Sequence, residues 1–330
     1  MADYQPPFTI TNSMVGLVSE IAEKIGRLDR YQNLGVKPHL RRNNRIRSIQ
    51  SSLAIEANSL SIDAIRGVID GKTVIGPEKE IQEVKDAYRA YDELGKFDPY
   101  SIDALKRLHG IMTYLTIGES GQFRRGEEGV FDGDRCIFMA PPAMRVPGLM
   151  DDLFSWMKQA RKDVHPLILS SVFHYEFVFI HPFADGNGRM ARLWQTSLLC
   201  EWNSVFQYMP IESRLHAFQS EYYEAISKCH SEGSSNSFIV FLLEKIHETL
   251  DLYLQQASSA DAQVSEYVRR LLDAMEYEVP YTAKRIMALL NLKSKETLRK
   301  HYINPALEMG LIVMTNPDKP TSRNQAYMKR

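Results

Sequence analysis

The residues of this sequence best equipped for chemistry lie in one stretch, His181-Pro182-Phe183-Ala184-Asp185-Gly186-Asn187-Gly188-Arg189-Met190-Ala191-Arg192. Two glycines with an Asp and an Asn lead into the start of a helix. Several backbone N–H groups therefore point outward from the helix N-terminus, which is a natural anion site. Arg189 and Arg192 stand three residues apart on that helix, close enough to hold one ligand through charge-assisted hydrogen bonds. Two arginines suit phosphates better than a single carboxylate. Asp185 supplies the hard oxygen that Mg²⁺ prefers when it also binds substrate phosphates, and His181 is the nearby group able to accept a proton near neutral pH. These are the parts of a transfer from a nucleotide. A lone histidine before Pro-Phe is usually a packed loop residue, and a lone Gly-Asn-Gly is usually a turn. Behind a buried helix and ahead of two arginines, the combination points to a site.

The elements that must position this stretch are helical. The apolar run from Leu167-Ile168-Leu169 to Phe177-Val178-Phe179-Ile180 reads as a helix buried at the centre of the fold, stopped by Pro182. Apolar residues recur at helical spacing in Met14, Leu17, Val18, Ile21, Ile25 and Leu28, and again from about Pro38 to Asn58. Ser61 and Ser101 sit where N-caps belong, and Pro77 precedes another helix through Lys96. The pattern breaks after Leu115. Glycines and prolines from Ile117 to Pro147, with a β-like alternation from Val130 to Met139, predict a loop holding a small hairpin. Helices resume near Gly148, at His165, after Gly186, near Arg214 and at Phe238, with breaks at Pro210 and at Ser231-Glu232-Gly233-Ser234-Ser235. The stretch from Leu254 to Ala260 reads as a fraying helix end passing into a linker.

The central stretch resembles the core motif of the Fic family, His-x-Phe-x-Asp/Glu-Gly-Asn-Gly/Lys-Arg-x-x-Arg, with every fixed position matched. The resemblance implies a mainly α-helical Fic fold with a small β-hairpin flap, and transfer of AMP from ATP to a Tyr, Ser or Thr hydroxyl of a target protein. It makes His181 the general base, Asp185 the Mg²⁺ ligand and Phe183 the core anchor of the loop. Gly186, Asn187 and Gly188 become the phosphate cradle, while Arg189 and Arg192 hold the β- and γ-phosphates and Met190 and Ala191 complete the nucleotide-binding set. Gly188 resembles the AMP-transferring members rather than the variants with lysine there.

A second stretch, Arg45 to Glu56, is helical by spacing, with Arg45, Ser48, Ser52 and Glu56 on one face and Ile46, Ile49 and Leu53 on another. Glu56 alone would be read as a solvated carboxylate. The stretch also resembles the family's inhibitory motif, Ser/Thr-x-x-x-Glu-Gly/Asn, in Ser52 and Glu56, which implies that Glu56 pairs with Arg192 and blocks a productive γ-phosphate position. Ala57 departs from the Gly or Asn of that motif. Gly121-Gln122-Phe123-Arg124-Arg125 and Ala140-Pro141-Pro142 resemble the segments bracketing the flap, an edge suited to aligning a target's backbone. Tyr222 and Tyr223 resemble a pair packed near the nucleotide in relatives, although aromatic pairs are more often core. Glu212 and Lys228 carry no signal of their own.

Residues 262–330 hold twelve Lys/Arg against seven Asp/Glu. Helices at Thr282–Leu290 and Ser294–Lys300, joined at Asn291-Leu292-Lys293, precede an apolar Leu311-Ile312-Val313 and a Pro-rich wing with Lys319 and Arg323. This resembles the winged-helix module behind many Fic cores, for which duplex DNA binding competes with protein docking or a purely packing role.

Over the whole chain, 40 basic and 41 acidic residues give a net charge of −1, which gives no reason to expect a nucleic-acid or membrane partner, so any such partner must be argued locally. Cys136, Cys200 and Cys229 are too far apart for a zinc site and fit a reducing compartment. The N-terminus lacks a signal-peptide pattern and no run of eighteen apolar residues occurs, so a cytoplasmic protein is expected. The expected domains are an N-terminal helical region with the inhibitory helix (1–95), a catalytic core (96–255) and a winged helix (262–330). The alternatives to adenylyl transfer are removal of AMP, and a DNA-binding regulator whose core senses nucleotides.

Overall fold

Side-chain caps set many of the helix starts in this computed structural model, which describes residues 4–31, 38–132, 135–263, 265–275, 279–317, 319–320, 322 and 325–329. The chain divides into two compact units, residues 1–29 with 40–252, and residues 30–39 with 253–330. The first unit opens with α1 (Asn12–Tyr31) and α2 (Pro38–Ile55). In α3 (Ile62–Ile69) the Ser61 hydroxyl accepts the Ala64 N–H. After α4 (Glu78–Asp92), Ser101 caps α5 (Ile102–Met112) in the same way through Ala104. These are the caps the sequence predicts, each contributing about 1 kcal/mol.

The predicted hairpin is β1 (Gly129–Asp132) paired antiparallel with β2 (Arg135–Met139), Gly129 opposite Met139, with an irregularity between Val130 and Phe131. Then follow α6 (Val146–Ala160), α7 (Pro166–Ile180) and α8 (Asn187–Trp202). The apolar run of α7 is buried along nearly its whole length, and α8 packs along it with Trp194 fully enclosed. Only a helix surrounded on all sides can carry so little polar surface. The last helices are α9 (Ile211–Ala217), α10 (Gln219–Glu232) and α11 (Asn236–Gln263). The single helix expected after Pro210 is broken at Phe218, whose ring lies under the Lys245 ammonium at 4.0 Å. Gly233, at φ 62°, closes α10 in the left-handed conformation that suits glycine. The helix expected to fray after Leu254 continues to Gln263.

In the second unit α12 (Glu266–Asp273), capped by Ser265, is a helix the sequence reading does not anticipate. It is followed by β3 (Pro280–Thr282), α13 (Ala283–Leu289), α14 (Lys295–Thr297), α15 (Asn304–Glu308), β4 (Ile312–Met314) and β5 (Ala326–Lys329). A π-turn over Leu298–Ile303 joins α14 to α15. The sequence reading ends this helix at Lys300. Pro305 lacks the N–H for the next regular bond, and the widened turn carries the helix past it. The antiparallel sheet has the order β3-β5-β4, and this unit has its own core, which includes Val268, Leu271, Tyr281, Ile286, Leu298 and Tyr302. Lys319 is exposed, while Arg323 and the Cys136 side chain fall outside the described residues.

Candidate active site

His181 is the residue on which α7 ends, with φ 52° and ψ 60°. A non-glycine residue in that conformation is uncommon and is held there by its surroundings. Its N–H still donates to Phe177 O at 2.9 Å, and Arg124 Nε donates to its carbonyl at 2.7 Å. The ring Nδ1 is 3.4 Å from Val178 O. A carbonyl only accepts, so this contact assigns the proton to Nδ1 and leaves the Nε2 lone pair open. Burial lowers the His181 pKa from the ordinary imidazole value and keeps the ring neutral at pH 7.

The loop beyond His181 is fixed from within and from below. Asn187 Oδ1 accepts the Phe183 N–H at 2.9 Å and its Nδ2 donates to Phe183 O at 2.7 Å, closing the turn with one amide. The Asn187 side chain therefore braces the cradle. Phe183 is fully buried and its ring stacks on His109 of α5, centroids 3.7 Å apart and planes within 4°. His109 uses both nitrogens: Nδ1 accepts the Gly121 N–H and Nε2 donates to Asp185 O, each at 2.9 Å. Burial depresses its pKa to about 4, so it stays a neutral brace. Gly186 has φ 81°, and a Cβ there would stand 3.0 Å from Thr113 Cγ2, so both backbone and space call for glycine.

Asp185 Oδ1 accepts the Gly186 N–H and is 3.0 Å from Arg189 Nη2, and the half-exposed carboxylate faces solvent. Arg189 is buried and has Glu83 Oε1 at 3.7 Å from its Nη1, yet Nε and Nη1 make no hydrogen bond. Asp86, one turn along α4 from Glu83, is fully buried; burial raises its pKa to about 6. Arg192 is equally enclosed: Nε donates to Ser52 Oγ at 3.0 Å, and Nη2 to Ser52 O at 2.9 Å and Glu56 Oε1 at 2.7 Å. Its Nη1 has no partner among the described residues. Three buried guanidinium nitrogens thus make no hydrogen bond among the described residues and are free to donate to oxygens of a ligand. The Met190 and Ala191 side chains, on the same helix, face the core and are fully buried.

Glu56 ends α2 and lies against Gly188, where a Cβ would overlap Glu56 Oε1. The next residue, Ala57, adopts φ 65°. This is the left-handed turn position that glycine or asparagine fills without strain. The polar face of α2 is buried, with each group bonded: Asn44 to Tyr208 O at 2.8 Å, Ser48 to Glu212 at 2.7 Å, Ser51 to Ser213 at 3.1 Å. Glu212 collects three hydroxyls, from Ser48, Tyr91 and Thr196, on three different helices. Tyr222 is buried with its hydroxyl bonded to His174 Nε2 at 2.9 Å, and Tyr223 beside it is 47% exposed. Lys228 is a surface residue near Glu232.

His109, Glu83 and Glu212 were not anticipated as parts of this region, and Arg124 was expected only within a segment bracketing the flap. Each comes from an element far along the chain. Only the Gly-x-Phe-Arg context of Arg124 offered a signal.

Residues 99–199 match the sequence model of the Fic/DOC family, and residues 266–328 that of the Filamentation induced by cAMP protein Fic-like, C-terminal domain. The protein adenylyltransferase Fic of Drosophila melanogaster is 29% identical over 241 residues, 69% of this chain and 46% of its own length. The chain thus spans about half the length of the curated relatives it matches. A Fic domain containing signaling protein from Bacteroides thetaiotaomicron VPI-5482 shares the fold, with a TM-score of 0.59 at 20% identity, over 75% of this chain and 98% of its own. The crystal structure of a Fic family protein from Desulfovibrio desulfuricans G20 is 41% identical, covers 99% of this chain and 98% of its own, and superposes with a TM-score of 0.72. With the complete loop motif folded around His181 and this likeness along its full length, the chain belongs to the Fic family.

Proposed function

We propose that this Fic protein transfers AMP from ATP to a hydroxyl side chain of a target protein and is restrained by Glu56. The observation that carries the reading is the open Nε2 of a neutral His181 on the same loop as two buried arginines with unpaired donors. The target hydroxyl oxygen attacks the α-phosphorus and its proton passes to His181 Nε2. The Pα–O–Pβ bond breaks, and pyrophosphate leaves against Arg189 and Arg192. Asp185 would hold Mg²⁺, which when bound offsets phosphate charge. One half-exposed carboxylate, of which the protein engages Oδ1, fits an ion that draws its other ligands from phosphates and water. Among the described residues no cluster of three His, Cys, Asp or Glu forms a closed cage. Tyr223, exposed beside Tyr222, is available to the nucleotide. Glu56, on Arg192 Nη2, occupies the donor that a γ-phosphate oxygen would take.

The second unit supports a winged-helix reading through its strand order and two helices. Lys284, Lys293, Lys295, Arg299 and Lys300 are exposed there, which favours duplex DNA as its partner. Salt-dependent binding of duplex DNA, lost on neutralising these residues, tests it. No helix among the described residues is long and apolar enough to cross a membrane.

Incubation of the protein and a cell lysate with α-labelled ATP, followed by mass spectrometry of the labelled proteins, tests the main reading. Modified hydroxyl residues should carry AMP, and labelling should stop in EDTA or in Asp185→Ala.

A further inference from the structure

Arg124 is 3% exposed and has no carboxylate within ion-pair reach among the described residues. Its partners are backbone carbonyls. Nε donates to His181 O at 2.7 Å, Nη1 to Gly126 O at 2.8 Å, and Nη2 to Pro141 O and to Ile180 O, the latter at 3.4 Å. The Arg124 backbone N–H donates to Pro182 O at 2.9 Å. A buried cation is costly unless its donors are satisfied, and at the C-terminal end of α7 the carbonyl dipoles favour it. Gly126 precedes β1 and Pro141 follows β2, so the same guanidinium binds both stems of the hairpin and the carbonyl of the base.

We infer that Arg124 is a positioning residue of the reaction: it fixes the register between the flap hairpin and His181, so that a hydroxyl lying along the flap meets the base in line. The inference rests on the transfer reading. The planar fork is essential to it, because a lysine can carry the charge but cannot reach carbonyls on three segments at once. A reacting group displaced by about 1 Å can lose about 10²-fold in rate without any loss of nucleotide contacts.

The test uses the full chain, as wild type and as Glu56→Gly, with Arg124→Lys, Arg124→Ala and Lys158→Ala, exposed on α6, as control. Labelling should fall about 10²-fold in kcat for Arg124→Lys, with KM for ATP within about twofold. Hydrogen exchange should quicken together around residues 126–128, 140–143 and 181–184 and stay unchanged inside α8. Methylguanidinium should restore part of the rate to Arg124→Ala and none to Arg124→Lys, and Lys158→Ala should match its parent. A kcat for Arg124→Lys within twofold of its parent, or KM and α8 exchange rising in step with the loss, would overturn the inference. If none of these proteins becomes labelled, the transfer reading fails. The exchange pattern then decides Arg124 by itself: quickening confined to the three segments upholds the clamp, and any other pattern ends it.

Discussion

In the proposed reaction, proton transfer rests on the single neutral imidazole of His181, whose backbone is held in the left-handed region. A positioned base typically contributes about 10² to 10⁴ in rate. His181→Ala should therefore lose that factor in labelling while ATP still binds, as calorimetry would report. Burial disfavours the imidazolium, so the working, neutral form persists below the ordinary pKa of 6.5. Initial rates measured from pH 8 downward should stay level through 6.5 and fall only in more acidic buffer. An inflection above 6.5 would remove His181 as the titrating base. Ala57 is the other residue in an unusual conformation. Replacing it with glycine relieves about 1 kcal/mol of strain and should raise Tm by a few degrees. The same change should lower basal labelling, because the turn then favours the docked Glu56. The identities and order of the loop residues were legible in the sequence because each is tied to the next by local geometry. The bracing imidazole of His109 was not, since nothing in its own neighbourhood hints that Asp185 and Gly121 will meet it.

At the scale of elements, α7 and α8 could be read directly: an apolar run that no solvent-facing helix could carry, a proline stop, and a glycine turn into the next helix. The role of α2 was only half visible. Spacing puts Arg45, Ser48, Ser52 and Glu56 on one face, but nothing local shows that Asn44, Ser48 and Ser51 are buried and bonded to groups more than a hundred residues away, notably Glu212. These hydrogen bonds, worth about 1 kcal/mol each, add to the burial of Ile46, Ile49 and Leu53 on the apolar face of the same helix. Gly188 is the contact where α8 accepts the end of α2. Glu56→Gly should raise auto-labelling at fixed Mg-ATP, and Gly188→Ala should displace the same carboxylate and raise it too. The double variant should be no more active than the better single one, because both changes remove one contact. Equal rates in wild type and Glu56→Gly would end the brake reading and leave His181 untouched.

For the whole molecule, the mainly helical Fic fold was legible because its helices are amphipathic or uniformly apolar and carry their own caps. Less legible were α12 and the helix through Pro305, where a short element and a π-turn blur the period. The first unit also carries a pH signature. His109 and His174 are buried with pKa values depressed to about 4 and about 3. On acidification the unfolded chain takes up these protons first, near 6.5, so stability falls progressively between pH 6.5 and about 3. Asp86, raised to about 6, works the other way and is stabilising once protonated, but it offsets only part of two histidines. Thermal melts across this range should show Tm falling with pH, less steeply when His109 is replaced by Gln. Labelling with ATP that carries its isotope on either the α- or the γ-phosphate separates transfer of the AMP moiety to protein from transfer of the terminal phosphate. The predicted result is covalent label on protein from α-labelled ATP alone, dependent on His181. Label arriving from the γ-phosphate, or α-label that persists in His181→Ala, would contradict it.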